Sequence, residues 1–282
     1  MFSAGRFALA LLIACTAIAD QTSLTFVKSR DGTRIAVECA GAGPTLLIVH
    51  GGVGDRTRWT PLFPLFAPNF TVCAMDRRGH GASGDSSHYS LRKEAEDVAA
   101  VVNSRSGRVF VLGHSYGAVA SLEAAFLTSR IARLVLYEPP LQERDPSAAA
   151  DSMDKLIRNG KREEATITFL RDVVMISPGE IESMRKRPSW PALVASIDTS
   201  VRQLRALNAY RFDPKRVAKL NVPTLLLTGS ETSSPELKAA IASLFRTLPH
   251  ATLFTFEGQQ HNAMDAIPEK FAQVVTTFLR SK

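Results

Sequence analysis

The chain has 282 residues, 45% of them hydrophobic and 22% charged, with a formal net charge of +7. This composition supports one large buried core, so a single domain with an insertion is expected rather than two independent units. The positive charge is scattered without an aromatic–basic cluster, which argues against a nucleic-acid partner, and no apolar run beyond the N-terminus is long enough to span a membrane.

Residues 1–19 have the layout of an export signal: one arginine, an apolar stretch from Phe7 to Ala14, then small residues. Ala17-Ile18-Ala19 fits a signal-peptidase site before Asp20, whereas Leu12-Ile13-Ala14-Cys15 resembles a lipoprotein box that would make Cys15 a lipidated membrane anchor. A plain apolar N-terminal helix is the alternative. The expected location is therefore periplasmic, cell-envelope or secreted. An oxidising compartment permits a bridge between Cys39 and Cys73, although two buried free thiols are the expectation.

Beyond that segment, strand and helix periods alternate. Ser23 to Ser29 and Thr33 to Ala40 predict a hairpin around Asp31-Gly32. Short apolar runs at 45–50, 70–76, 109–112, 134–137, 224–228 and 252–256 read as strands covered on both faces. Leu237, Ile241, Leu244, Phe245 and Leu248 share one helical face, as do Ile267, Phe271, Val274, Val275 and Phe278, and Pro235 and Pro268 mark helix starts. A hairpin followed by repeated strand–helix units implies an α/β fold whose sheet is mostly parallel, with helices on both faces. Residues 140–212 break the alternation with helical patterns alone, and read as a helical lid between core segments 20–139 and 213–282. Leu156, Ala165, Ile167, Phe169, Leu170 and Val173, extended by Trp190, Leu193 and Leu204, are candidates for its apolar underside. Arg185, Lys186, Arg187, Arg202 and Arg205 read as a solvated face, with recognition of acidic substrates as the other reading.

The chemistry centres on VFVLGHSYGAVAS at residues 109–121. A serine at a sharp strand-to-helix turn is held clear of the sheet, and the crowded backbone there needs glycine two places to either side. Gly113 and Gly117 flank Ser115 in that way. Ser115 also opens a helix, so the Tyr116 N–H points toward an oxyanion formed when the hydroxyl attacks a carbonyl. A serine hydroxyl needs a base. Of six histidines, His50, His80, His88 and His114 precede Ser115 and His250 lies ahead of the last strand, which leaves His261 in the following loop. His114 is expected to project to the opposite side of the strand from the nucleophile.

Taken together, HGGVGD after the third strand, DRRGHGASG after the fourth, GHSYG, LVLYEPP after the sixth and GQQHNAMD make the chain resemble an α/β-hydrolase-fold enzyme with a lid inserted after the sixth strand of an eight-stranded sheet. The resemblance implies a second oxyanion N–H from Gly52, with Val53 as its rival, and a structural role for Asp76, Arg77, Arg78 and His80. It also exposes a departure. Such enzymes commonly carry Asp three residues beyond the glycine ending the seventh strand, where this chain has Thr232 after Gly229. Glu138, fixed at a strand end by Pro139 and Pro140, is the preferred acid, and Glu231 in the Ser/Thr-rich loop is the alternative. Asp265 reads as a helix N-terminal residue.

The resulting expectation is a carboxylesterase-like serine hydrolase that cleaves a small ester, lactone or related acyl bond through an acyl-enzyme. It would use Ser115, His261 and Glu138, with Gly52 and Tyr116 as oxyanion donors, and would need no cofactor and no metal. A non-catalytic small-molecule-binding protein, a cofactor-free perhydrolase or haloperoxidase-like enzyme, and an envelope interaction protein are the other classes.

Overall fold

A computed structural model of the chain describes residues 22–141 and 145–281, so the expected signal segment and Cys15 lie outside the described residues. Eight strands form one sheet in the order β1-β2-β4-β3-β5-β6-β7-β8. They span Ser23–Lys28, Arg34–Ala40, Thr45–Val49, Thr71–Met75, Val109–His114, Ile131–Tyr137, Thr224–Gly229 and Ala251–Phe256. Only β1–β2 and β2–β4 pair antiparallel, and the remaining neighbours run parallel. β6 begins at Ile131, ahead of the apolar run at 134, because Ile131 already pairs with Val109.

The unbroken apolar strands have a simple cause. Along β5, Val109 and Val111 join one core with the helices Leu91–Asn103 and Tyr116–Ala124, while Leu112 faces a second core built on Trp59, Phe66, Phe256 and Phe271. Side chains alternate across a strand, so a strand covered on both faces needs apolar residues at every position. Helices Pro235–Thr247 and Pro268–Arg280 close opposite faces, each starting with proline.

Between β6 and β7 the described chain is helical, with segments at Ser147–Arg158, Arg162–Thr168, Pro178–Arg185, Trp190–Ala195 and Ile197–Ala209. Their apolar faces pack largely on one another: Ala165, Leu170, Trp190 and Leu193 belong to a third core that reaches the body of the protein at Val53. The candidate underside residues are therefore divided between an internal core and a cavity wall. Four of the five basic residues singled out in this insert are ion-paired: Arg185 with Glu163 and Glu182, Arg187 with Asp265, Arg202 with Asp85, and Arg205 with Asp151 and Asp154.

The structure draws Cys39 and Cys73 as a disulfide, in place of the expected free thiols. They sit directly opposite each other on β2 and β4 with Cα atoms 4.1 Å apart, a register that the sequence spacing does not reveal. Among the described residues no helix is long and apolar enough to cross a membrane.

Candidate active site

The site lies at the carboxyl ends of the parallel strands, where β3, β5, β6 and β8 each deliver one component. β5 stops at His114, and Ser115 takes φ 53° and ψ −125° before the chain enters the helix Tyr116–Ala124. That backbone is strained for a residue with a Cβ, and it is held by Ser115 N–H donating to Tyr137 O at 2.8 Å. The flanking glycines are sterically required. A Cβ on Gly117 would stand 2.2 Å from His50 O, and one on Gly113 would stand 2.6 Å from Ala118 Cα.

Glu138 follows β6 with φ 45° and is fully buried. Its Oε2 accepts from His261 Nδ1 at 2.5 Å. Its Oε1 accepts from Thr232 Oγ1 at 2.5 Å, Thr228 Oγ1 at 2.8 Å and Gly229 N–H at 2.9 Å. Burial works to raise the pKa of this carboxyl, but the bond from His261 and those from Thr232 and Gly229 outweigh it, so the net displacement is downward. Glu231 is exposed; its backbone N–H bonds to Gln259 O and its carboxylate to Ser230. The geometry pairs His261 with Glu138 and leaves Glu231 at the surface. Thr232 had no sequence signal beyond occupying the place of a missing aspartate, and Thr228 had none.

The loop carrying His261 is tied down from beneath. His114 Nε2 donates to His261 O at 3.0 Å, and its ring centroid lies 4.6 Å from that of His261. Tyr137 Oη donates to Gln260 O at 2.5 Å and accepts from Ala263 N–H at 3.0 Å. His114 thus lies on the far face beside Trp59 and Tyr137, yet directly supports the loop; burial first, then the charge of neighbouring groups, keeps it neutral by lowering its pKa well below the ordinary value. Asp265, in the short helix Ala263–Ala266, bonds both Arg58 and Arg187 at 2.8 Å, joining body to insert.

A second network shapes the loop His50–Gly54. Arg77 N–H donates to His50 Nε2, Arg77 Nη2 donates to Gly51 O at 2.8 Å, and His80 Nδ1 donates to Gly54 O at 2.8 Å. From the insert, Ser200 Oγ donates to Gly52 O at 2.9 Å and Ser196 Oγ accepts from Gly54 N–H at 2.8 Å. The buried ion pairs of Arg77 with Glu94 and of Arg78 with Asp97 anchor the same turn.

These elements enclose a cavity of about 180 Å³ lined by Gly52, Ser115, Tyr116 and His261, with Leu141, Phe169, Val173, Leu204, Leu207 and Leu237 as apolar walls. Phe169 comes from a π-helical turn, Phe169–Val173, and its Cζ would lie 2.9 Å from a Cβ on Gly52, so a larger residue here would require the aromatic ring that covers it to shift. Val53 lines an adjoining chamber of about 20 Å³ that shares Gly52, Ser115, Phe169 and His261 with this cavity. Among the described residues no group of His, Cys, Asp and Glu side chains is arranged to hold a metal ion.

The fold and site define an α/β enzyme with a serine raised on a strand–helix elbow and a histidine–carboxylate pair beside it. Residues 46–274 match the model of the alpha/beta hydrolase family. The chain belongs to that family and is an α/β-hydrolase enzyme. It is 26% identical to 2-(acetamidomethylene)succinate hydrolase of Mesorhizobium japonicum over 93% of this chain and 98% of that protein. Among solved structures, an alpha/beta hydrolase from Sphaerobacter thermophilus superposes with a TM-score of 0.78 at 33% identity, covering 90% of this chain and all of that one. The esterase RhEst1 from a Rhodococcus species gives 0.74 at 25% identity, covering 92% of this chain and 99% of that one.

Proposed function

We propose that the protein is a serine hydrolase that cleaves a small ester, lactone or related acyl bond through an acyl-enzyme. The carrying observation is that Ser115, at its strained elbow, shares one cavity with His261, whose far nitrogen is bonded to buried Glu138. Because His261 Nδ1 donates to Glu138, Nε2 is the free position that takes the Ser115 proton as Oγ attacks the carbonyl. Glu138 orients the ring and stabilises the imidazolium. The N–H groups of Gly52 and Tyr116 stabilise the oxyanion, the imidazolium returns its proton to the leaving group, and water then releases the acyl group by the same route.

The apolar walls favour a compact acyl group. Among the described lining residues there is no Lys or Arg to receive an anionic substrate, which separates this reading from the succinate-derived substrate in the name of the Mesorhizobium relative. Export remains part of the proposal: the bridge between Cys39 and Cys73 supports an oxidising compartment. Burst kinetics with p-nitrophenyl acetate and butyrate, beside Ser115→Ala, test the chemistry. A stoichiometric burst with turnover, lost in the variant, is expected; no burst and no fluorophosphonate labelling of Ser115 would sink the reading.

A further inference from the structure

Gln203 projects from the helix Ile197–Ala209 into the cavity wall and is only 2% exposed. The orientation of its amide is set by its neighbours. His80 Nδ1 donates to Gly54 O, so Nε2 of the neutral ring is an acceptor, and it also faces the obligate donor Arg77 Nη2 at 3.1 Å. Burial and the Arg77 charge both hold His80 in that neutral form. The Gln203 atom 2.5 Å from Nε2 must therefore be the NH₂ group, and Oε1 is turned the other way.

That oxygen is buried and has no hydrogen-bond partner among the described residues. It lies 3.7 Å from where a Cβ on Gly52 would stand, beside the candidate oxyanion donor. It can only accept. An oxygen lone pair at this point does nothing for an oxyanion, but it meets a donor carried next to the reacting carbonyl, because a substituent on the adjacent carbon lies about 3 Å from the carbonyl oxygen and hence within hydrogen-bond reach of the same wall.

We propose that Gln203 is a specificity-determining residue whose Oε1 accepts a hydrogen bond from a hydroxyl or amide N–H on the carbon next to the scissile carbonyl, so that the preferred substrates are 2-hydroxyacyl or 2-acylamino-acyl compounds. This rests on the acyl-serine reading. The Arg77–His80–Gln203 chain makes the acceptor rigid: a guanidinium that cannot lose its proton fixes the imidazole, and the imidazole fixes the amide.

The test compares matched ester pairs. p-Nitrophenyl lactate against p-nitrophenyl isobutyrate exchanges a hydroxyl for a methyl group, and p-nitrophenyl N-acetylglycinate against p-nitrophenyl levulinate exchanges N–H for CH₂. Each kcat/KM ratio is divided by the ratio of alkaline hydrolysis rates, which removes intrinsic reactivity. The expected result is a preference of at least about tenfold for the donor-bearing ester in one pair, and the pair that shows it tells hydroxyl from amide. Gln203→Met, which keeps the length of the side chain but removes Oε1, should bring that preference to within about threefold. A wild-type ratio near one in both pairs overturns the proposal, as does a preference unchanged in Gln203→Met; if that variant does not fold, the wild-type ratios decide alone. Fluorophosphonate labelling of Ser115 is measured alongside. Labelling with no donor preference removes only the role of Gln203, whereas absence of labelling removes the acyl-serine reading and this proposal with it.

Discussion

Thr232 Oγ1 donates a 2.5 Å hydrogen bond to Oε1 of Glu138. The residue standing where related enzymes commonly carry their acid therefore holds the carboxylate that bonds His261 from a different strand. Strands β6 and β7 are neighbours, so the β7 loop meets the Glu138 carboxylate that bonds the imidazole.

Replacing Glu138 by Gln should cost about a thousandfold to ten-thousandfold in kcat with the fold retained, since the ring loses its orienting charge. Glu231→Gln should stay within about twofold, because its side chain is exposed. Steady-state kinetics and thermal melting of the two variants check this; the reverse order would move the acid to Glu231.

Thr232→Val removes one of three donors from Glu138 Oε1 and should lower stability by about 1 kcal/mol, with a modest loss of activity. Thr232→Asp alone should be far more damaging, because two carboxylates then share one site. Combining it with Glu138→Thr should recover part of the lost kcat, as the acid is then supplied from the other strand. No recovery in the double variant would show that the β7 loop cannot orient His261.

Gly117→Ala should not yield folded protein at ordinary temperatures, because the new methyl group meets His50 O at 2.2 Å, an approach that neither backbone can relieve without moving the elbow. Solubility and circular dichroism give the readout. Gly107→Ala, with nothing within 4 Å but φ +65°, is the control and should cost only about 1 kcal/mol.

Stability should fall on acidification in two stages. Burial pushes His50, His80 and His114 well below the usual 6.5, so below that pH the unfolded chain binds protons that the folded protein refuses. Stability therefore falls as pH drops below about 6.5, the three histidines acting in the same direction. The Glu138 carboxyl is displaced downward from 4.5, so its contribution is present above that pH and is lost as pH falls through the folded-state value. Urea unfolding from pH 7 to about 3 measures both stages; a flat profile between pH 6.5 and 5 would contradict the buried neutral histidines.

The disulfide predicts a further stability effect without a chemical one. Cys39→Ser with Cys73→Ser should lower unfolding free energy by about 2–4 kcal/mol while leaving kcat unchanged, because the bridge joins β2 to β4, the antiparallel side of the sheet. Mass spectrometry before and after reduction establishes the bond itself.

The strand and helix order, the elbow serine and the histidine after β8 were all legible in sequence, since each rests on local rules: apolar runs for two-sided burial, glycines at a crowded turn, and chain order. Glu138 was legible only as one of two candidates, because choosing it requires knowing that β6 and β7 are neighbours and that Thr228, Gly229 and Thr232 converge on one carboxylate oxygen. The pairing of Cys39 with Cys73 was legible only as a possibility beside two free thiols, and the unpartnered oxygen of Gln203 was not legible at all. The first depends on strand register, and the second on a relay that brings together residues 77, 80 and 203. Sequence alone determined the elements and the enzyme family, because backbone sterics and burial act over a few residues. Only the tertiary structure decided which carboxylate meets the histidine and which polar atom is left unpartnered beside Gly52, because those depend on distances between segments far apart in the chain.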